Sequence, residues 1–202
     1  MKAVLIGASG ATGSALLDLL LNDSSIQQIV VLTRKPTGLA HSKLTELLID
    51  FNQLDKYADE IKGDLAFSCL GTTLKVAGSK QAQYIVDYTY QFEFAKLAKA
   101  NNLTTFVLVS AAFSDPNSKL FYARMKGELE QSIKALNFAE TLIFKPGSLI
   151  RPNSDRLGEN ISVGILTTLN YIGLLKTMAP LHVNQLAQAM LKQAKICHAN
   201  AN

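Results

Sequence analysis

Six short apolar runs recur along the chain, and most are followed by a longer stretch with helical spacing. The runs are continuous rather than alternating, which is typical of strands buried on both faces of a sheet. They cover residues 3–6, 29–32, 47–49, 65–67, 106–109 and 142–144. The helical pattern predicts helices over residues 11–22, 53–61, 79–101, 118–136 and 184–196, the last with Asn184 as its N-cap.

This alternation predicts an α/β fold with a doubly wound parallel sheet, the Rossmann arrangement, as a single domain over residues 1–202. Right-handed crossovers favour the strand order 3-2-1-4-5-6. Ligands then bind beyond the carboxyl ends of the strands, where the order reverses between the first and fourth strands. Residues 151–180 interrupt the alternation, and form either an excursion that covers the substrate side of this crevice or a helix that only extends the core.

Composition narrows the classes of function. The chain has 202 residues, of which 48% are hydrophobic and 18% charged, as in a folded globular domain. No window is long and apolar enough for a membrane span or a signal peptide, and two cysteines suit a reducing compartment, so a cytoplasmic location without membrane contact is expected. The net charge of +4 comes from scattered cations, which favours a mildly basic surface over nucleic-acid binding. No residue is assigned to a metal.

The first apolar run leads directly into the sequence GASGATG and then a helix. Glycines three apart between a first strand and a first helix permit a tight turn, close approach of a pyrophosphate and close helix packing. A P-loop would need Lys-Ser or Lys-Thr after the last glycine, and a hydrolase nucleophile elbow would need glycine in place of Ala11. The pattern therefore predicts a dinucleotide site whose residues are Gly7, Ser9, Gly10, Ala11, Thr12 and Gly13.

The second and third strands end in residues that bear on the choice of dinucleotide. An enzyme that uses NAD commonly has an acidic residue after the second strand, to bind the ribose hydroxyls. Here Arg34 and Lys35 follow instead, and both can bind a 2′-phosphate, which predicts NADP(H) as the cofactor. Asp50, after the third strand, either accepts a hydrogen bond from the adenine amino group or caps the helix that follows.

Two further turns are predicted to touch the cofactor. Leu70, Gly71 and Thr72 follow the fourth strand, where the glycine permits a close approach, and Pro146–Gly147 follow the sixth strand as a rigid turn beside the nicotinamide. Cys69, just before the first of these turns, is interpreted as a small buried hydrophobic residue rather than a reactive thiol.

Ser110, Tyr122 and Lys126 are the candidate catalytic residues. Ser110 ends the fifth strand, and Tyr122 and Lys126 are four apart, so they share one face of the predicted helix. A cation beside a phenol favours the phenolate, which predicts a lowered pKa for Tyr122 and proton transfer to or from a carbonyl oxygen. Ser110 would hold that oxygen. The alternative is a surface helix with a half-buried tyrosine.

Together these residues resemble the short-chain dehydrogenase/reductase superfamily, whose motifs GASGATG, Arg34, CLGTT, Ser110 with YARMK, and KPG match in order. The segments CLGTT, SAAFSDPNS and FYARMKGELE resemble the atypical branch that includes the HIV-Tat-interacting oxidoreductase, and the likeness extends to APLHVNQLAQAM near the end of the chain. One departure is CLGT after the fourth strand, where many members have Asn-Asn-Ala-Gly. The resemblance implies bound NADPH, with Lys126 also holding the ribose, and a Ser110–Tyr122–Lys126 catalytic set.

The sequence thus predicts an NADP(H)-dependent oxidoreductase that reduces a small carbonyl compound. A second hypothesis from a different class is an NADPH-bound sensor that acts through a protein partner. An intact Ser–Tyr–Lys set favours the enzyme. The aromatic residues of the predicted helix at 79–101 are interpreted as core packing, or else as a contact surface for such a partner; they are Tyr84, Tyr88, Tyr90, Phe92 and Phe94.

Overall fold

A computed structural model describes residues 1–147, 149–150 and 181–201. Its main sheet has six parallel strands in the order β3-β2-β1-β4-β5-β6, which confirms the predicted doubly wound order. The strands are β1 (Lys2–Ile6), β2 (Gln28–Thr33), β3 (Leu44–Leu48), β4 (Leu65–Ser68), β5 (Thr105–Val109) and β6 (Glu140–Phe144). A separate parallel pair, β7 (Leu149–Ile150) and β8 (Leu181–His182), lies outside this sheet.

Helices cover both faces of the sheet, which explains why its central strands are mostly apolar. They are α1 (Ala11–Asn22), a 3-10 helix (Phe51–Glu60), α2 (Leu74–Ala77), α3 (Lys80–Tyr84), a π-helical turn (Ile85–Thr89), α4 (Tyr90–Ala100), α5 (Phe121–Ala135) and α6 (Val183–Ala201). One hydrophobic core joins α1 and α6 to one face. The other joins the 3-10 helix, α4 and α5 to the opposite face. A strand between two such layers has no solvent-facing side.

Several predicted boundaries change in the structure. The helix expected at 53–61 is a 3-10 helix over Phe51–Glu60, and its buried Phe51 and Leu54 have the three-residue spacing of that helix type. The single helix expected at 79–101 contains the π-helical turn Ile85–Thr89. Asn184 is not the N-cap of the last helix, because α6 begins one residue earlier at Val183. Residues 151–180, interpreted as an excursion, lie outside the described residues.

The aromatic residues near α4 pack internally, as the core interpretation predicts. Phe94 is completely buried, and Tyr88, Tyr90 and Phe92 lie against the same core. The Tyr88 hydroxyl pairs with the Ser132 hydroxyl at 2.8 Å, and Tyr90 donates to the Asn52 side chain at 2.8 Å. Tyr84 stacks on Tyr88 with ring centroids 4.7 Å apart, so all five aromatic residues have partners within the chain.

An ion pair ties the last helix to the end of α1. The Lys195 ammonium lies 2.6 Å from the Asp23 carboxylate, which also accepts from the amide and hydroxyl of Ser25. Burial alone would raise the pKa of Asp23, but the hydrogen bonds from Lys195 and Ser25 outweigh it and lower the pKa from its ordinary 3.8 to about 2. The charged form therefore stabilises the folded state.

Asp23→Asn tests this link. Because the folded pKa lies below the unfolded one, the stabilisation is present above about pH 4 and is lost as pH falls towards 2. With solvent screening of this pair, we expect a loss of about 1 kcal/mol in the free energy of unfolding at pH 7. Urea unfolding at pH 7 and at pH 2.5 measures it. A difference from wild type that persists unchanged at pH 2.5 would contradict this account.

Candidate functional site

The turn between β1 and α1 brings three backbone segments into contact. Gly7 has φ of 85°, a conformation that side chains rarely adopt, and a Cβ there would lie 2.4 Å from the Cys69 carbonyl carbon at the end of β4. A Cβ on Gly13 would lie 2.1 Å from the Gly7 carbonyl oxygen. Glycine at these two positions therefore lets α1 and β4 close on the end of β1.

The start of α1 fits an anionic ligand. Its N-cap residue is Gly10, and no side chain caps the free amides of the first turn. Such amides, together with the helix dipole, favour a phosphate. Ser9 and Gly10 are exposed, Ala11 is half-buried and Thr12 is buried at 7% exposure. Ser9 and Gly10 are thus exposed at the carboxyl end of β1, next to a helix start that no side chain caps.

Arg34 and Lys35 follow β2, as predicted, and both are exposed. Neither side chain forms a hydrogen bond or ion pair with another described residue, whereas the Thr33 hydroxyl accepts from the Lys35 amide and donates to its carbonyl. The backbone of this turn is therefore fixed while its two cations remain available for a ligand. Asp50 caps the 3-10 helix, since its Oδ1 accepts from the Asn52 amide at 2.9 Å.

The turn after β4 is fixed by a carboxylate that the sequence analysis missed. Asp87, in the π-helical turn, is completely buried. The Thr72 amide donates to both of its carboxylate oxygens, at 3.3 Å each. The Thr72 carbonyl accepts from the Gln83 side chain at 3.4 Å. The backbone of Thr72 is thus occupied within the protein, which leaves its hydroxyl, Leu70 and Gly71 for a ligand. Burial also raises the pKa of the nearby Cys69 thiol to about 12, as expected of an unreactive cysteine.

Lys126 lies inside the protein, close to the end of β5. It is 2% exposed, and its ammonium donates to the carbonyl of Val109, the residue before Ser110, at 3.4 Å. Burial lowers the pKa of Lys126, while the negative charges of Asp87 and Glu130 act in the opposite direction. Burial also raises the pKa of Asp87, against the effect of the Lys126 charge. Lys126 thus has buried carboxylates as its counter-charges.

Tyr122 differs from the sequence expectation. Its side chain is at the start of α5 and the residue is 43% exposed. Burial, and then the negative charge of Asp87, raise its pKa to about 12. The predicted lowering by Lys126 is therefore wrong in direction, because partial burial and the Asp87 carboxylate both favour the neutral phenol. The phenol is protonated at neutral pH.

Ser110 is held by Glu130, a second carboxylate that the sequence analysis missed. Glu130 is 4% exposed, and its Oε1 accepts from the Ser110 hydroxyl at 2.5 Å and from the Ser114 hydroxyl. Its Oε2 lies 2.6 Å from the Lys145 ammonium. The one available signal was spacing, since Tyr122, Lys126 and Glu130 recur every four residues on one helix face.

The turn after β6 is joined to the loop after β5. The Pro146 carbonyl accepts from the Ala112 amide at 3.0 Å, and Gly147 is exposed with nothing near the position of a Cβ. Together with the Lys145–Glu130 ion pair, this bond holds the predicted nicotinamide turn against the Ser110 loop.

A separate cavity of about 480 Å³ lies at the opposite end of the sheet, at the amino ends of the strands. Its lining residues include Lys2, Gln28 and Asp64.

Comparison with known proteins identifies the family. A family described as NAD(P)H-binding matches residues 7–148. This chain belongs to the NAD(P)H-binding family. Within it, the mitochondrial protein FMP52-1 of Scheffersomyces stipitis is 31% identical over 96% of this chain and 88% of its own length. Protein HTATIP2 of Rattus norvegicus is 34% identical over 72% of this chain and 62% of its own length. These relatives confirm the atypical short-chain dehydrogenase/reductase branch.

Solved structures of this NAD(P)H-binding fold agree with the topology. The Bordetella bronchiseptica enzyme WbmH, in complex with NAD+, superimposes with a TM-score of 0.73 at 16% identity over 96% of this chain and 72% of its own. A UDP-N-acetylglucosamine 4-epimerase from Methanobrevibacter ruminantium gives 0.71 at 16% identity over 96% and 73%. At such identity the likeness shows the fold alone.

The expected cytoplasmic location is wrong on these comparisons. The similar proteins of Meyerozyma guilliermondii, Scheffersomyces stipitis, Aspergillus niger and Candida albicans are all named mitochondrial. The match to the Meyerozyma protein spans 66% of that relative's length.

In the part of the chain that the structure describes, no helix has the length and apolar character to cross a membrane. Among the same residues, no group of three His, Cys, Asp or Glu residues could hold a metal ion.

Gly10→Val tests the phosphate loop. Gly10 has φ of −83°, and a Cβ there meets its nearest atom, the Gly7 carbonyl oxygen, at 3.3 Å, so the variant folds with a small adjustment. The added methyl groups occupy the space of a pyrophosphate, and we expect calorimetry to show no binding of NADPH. Gly13→Ala is the contrasting variant, because its Cβ would overlap the Gly7 carbonyl and cost about 3 kcal/mol of stability. Binding lost through a folding defect is thereby recognised by the accompanying loss of stability, which Gly10→Val should not show. A folded Gly10→Val protein with wild-type affinity would place the dinucleotide elsewhere.

Glu130→Gln tests the carboxylate behind Ser110. The glutamine side chain keeps one acceptor oxygen, but its NH2 group is a donor where one of the partners of Glu130 requires an acceptor. We therefore expect a loss of about 1–3 kcal/mol in the free energy of unfolding. Glu128→Gln is the control on the same helix, since Glu128 is 38% exposed and 3.8 Å from Arg124. There we expect a change under about 0.5 kcal/mol. Equal losses in urea unfolding would contradict a structural role for the buried carboxylate.

Proposed function

We propose that this chain is an NADP(H)-dependent reductase of a small carbonyl compound, with Ser110, Tyr122 and Lys126 at the reacting centre. The observation that carries the proposal is the placement of Lys126. Its ammonium reaches the carbonyl before Ser110, and the Ser110 hydroxyl reaches Glu130 one turn after Lys126. Ser110, Lys126 and the start of α5 therefore lie together at the sheet edge where the phosphate loop begins.

The residues that would hold the cofactor follow the carboxyl ends of the strands. The amides at the start of α1 and Ser9 suit the pyrophosphate, Arg34 and Lys35 suit a 2′-phosphate, and the free Asp50 Oδ2 is available to the adenine amino group. The turns at Leu70–Thr72 and Pro146–Gly147 would line the nicotinamide end. When bound, the reduced cofactor supplies a hydride to the carbonyl carbon.

Tyr122 acts as the acid in this proposal. Its raised pKa of about 12 keeps the phenol protonated at neutral pH, so the hydroxyl can give its proton to the oxygen that gains negative charge during reduction. Lys126, four residues further along α5, would stabilise the phenolate that remains. In this proposal reduction begins with a protonated Tyr122 and does not require a lowered tyrosine pKa.

Ser110 and Lys126 are positioned by their buried partners. Glu130 accepts a hydrogen bond from the Ser110 hydroxyl, which fixes the position of that oxygen. To orient the substrate carbonyl, the Ser110 hydroxyl would turn from Glu130 and donate to the carbonyl oxygen instead. Asp87 and Glu130 balance the charge of Lys126, so that its ammonium can remain protonated although it is buried. The cation is then available to a ribose hydroxyl and to the substrate oxygen.

Family membership and the fold support the cofactor assignment at the level of NAD(P). Residues 7–148 match an NAD(P)H-binding family, and a neighbour with the same fold is in complex with NAD+. The preference for NADP(H) rests on this chain's own Arg34 and Lys35. The absence of an acidic residue after β2 removes the usual partner of unphosphorylated ribose.

Tyr122→Phe tests the proposed chemistry. NADPH affinity should be retained, while reduction of the fastest substrate among benzaldehyde, propanal and glyceraldehyde should fall by about a hundredfold or more. Tyr57→Phe, in the 3-10 helix where Tyr57 packs against the core, is the matched control and should retain full turnover. The wild-type rate should show no loss from pH 6 to 9, because the acid has a pKa of about 12.

Two results would contradict the proposal. One is full turnover in Tyr122→Phe. The other is a wild-type protein that binds NADPH, reduces none of the three aldehydes, and binds a protein partner only when NADPH is present, as a cofactor sensor would.

A further inference from the structure

Phe113 combines two features that rarely occur together. Its φ is 60°, in the left-handed region where a bulky side chain is an outlier, and its side chain is not packed, since the residue is 70% exposed. Within residues 1–147, 149–150 and 181–201, the two other non-glycine residues with positive φ are asparagines, a type that adopts this conformation readily. Neither burial nor local preference explains a phenylalanine here.

The loop around Phe113 imposes this conformation. On one side the Ala112 amide donates to the Pro146 carbonyl at 3.0 Å, and on the other the Ser114 hydroxyl donates to Glu130. The Asp115 amide then donates to the Ala123 carbonyl at 3.0 Å. Because both neighbours are fixed, the direction of the Phe113 side chain is set by the loop. Backbone strain held by such surroundings is common at ligand sites.

Phe113 stands beside the reacting centre. Ser114 shares one oxygen of Glu130 with Ser110, and Ala112 is bonded to the turn proposed to line the nicotinamide. The start of α5, bonded to the same loop, carries Leu120 at 73% exposure and Tyr122 at 43%. Apolar surface is therefore exposed on both the loop and the helix next to the proposed proton donor.

We propose that Phe113, with Leu120, forms an apolar wall of the substrate site, so that the carbonyl substrate carries an aryl or bulky alkyl group. This inference rests on the proposed function for the location of the reacting centre. An aromatic ring gains from offset or edge contacts with another ring and from removal of apolar surface from water. A polyhydroxylated carbonyl compound would gain nothing from this wall.

Phe113→Gly separates a binding role from a structural one. Glycine adopts positive φ without strain, so this variant should unfold at a temperature equal to or above that of wild type. Ile196→Ala is the control, since Ile196 is also exposed, at 45%, but lies on α6. The oxidised cofactor NADP+ has no hydride to donate to an aldehyde. Calorimetric titration of the NADP+-loaded protein with benzaldehyde or glyceraldehyde therefore measures binding alone.

Benzaldehyde should bind wild type and Ile196→Ala equally, and should bind Phe113→Gly at least about fivefold more weakly, as expected for loss of an aromatic contact. The affinities for NADP+ and glyceraldehyde should not change. The inference is overturned if benzaldehyde does not bind wild type, if Phe113→Gly binds it normally, or if NADP+ binding falls in parallel. If benzaldehyde binding depends on Phe113 but no aldehyde is reduced with NADPH, the reductase proposal fails while the apolar site stands.

Discussion

The site depends on the backbone contact between the end of β1 and the end of β4. Gly7 lies so close to Cys69 that any Cβ would overlap the Cys69 carbonyl. In the same way, α1 packs so closely on the Gly7 carbonyl that a Cβ on Gly13 would overlap it. This contact brings the amides of α1 to the point where the strand order reverses. Because the strands are parallel, the turns after β2, β4, β5 and β6 all lie at the carboxyl edge of the sheet. The ligand-binding groups of these turns therefore converge there.

A group of buried charges fixes the other half of the site. Asp87 and Glu130 come from different helices, and each is placed near Lys126. Removing several charges from water costs free energy, and a buried charge left without a partner would cost more still. Each carboxylate also accepts hydrogen bonds, Asp87 from the turn after β4 and Glu130 from the serines after β5. The charges thereby fix the positions of two loops.

The sequence predicted the sheet order and the glycine turn because both depend on local patterns. Continuous apolar runs and Gly7–Gly10–Gly13 are visible along the chain, and the structure places them as expected. Asp87 and Glu130 were missed because their hydrogen-bond partners are 15 to 20 residues away, and only the four-residue spacing of Glu130 from Lys126 is visible along the chain. The pKa of Tyr122 was predicted in the wrong direction for the same reason, since spacing identified the nearby cation but neither burial nor the carboxylate.

The most direct measurement compares NADPH and NADH binding by calorimetry in wild type and Arg34→Ala, with Arg124→Ala as a control for an arginine on α5. The account predicts that wild type binds NADPH at least about tenfold more tightly than NADH, a difference of roughly 1.4 kcal/mol. Arg34→Ala should lose most of this preference through weaker NADPH binding, while its NADH affinity stays within about twofold, as expected where only the 2′-phosphate contact is lost. Equal losses for both dinucleotides, or a wild type that prefers NADH, would contradict the account.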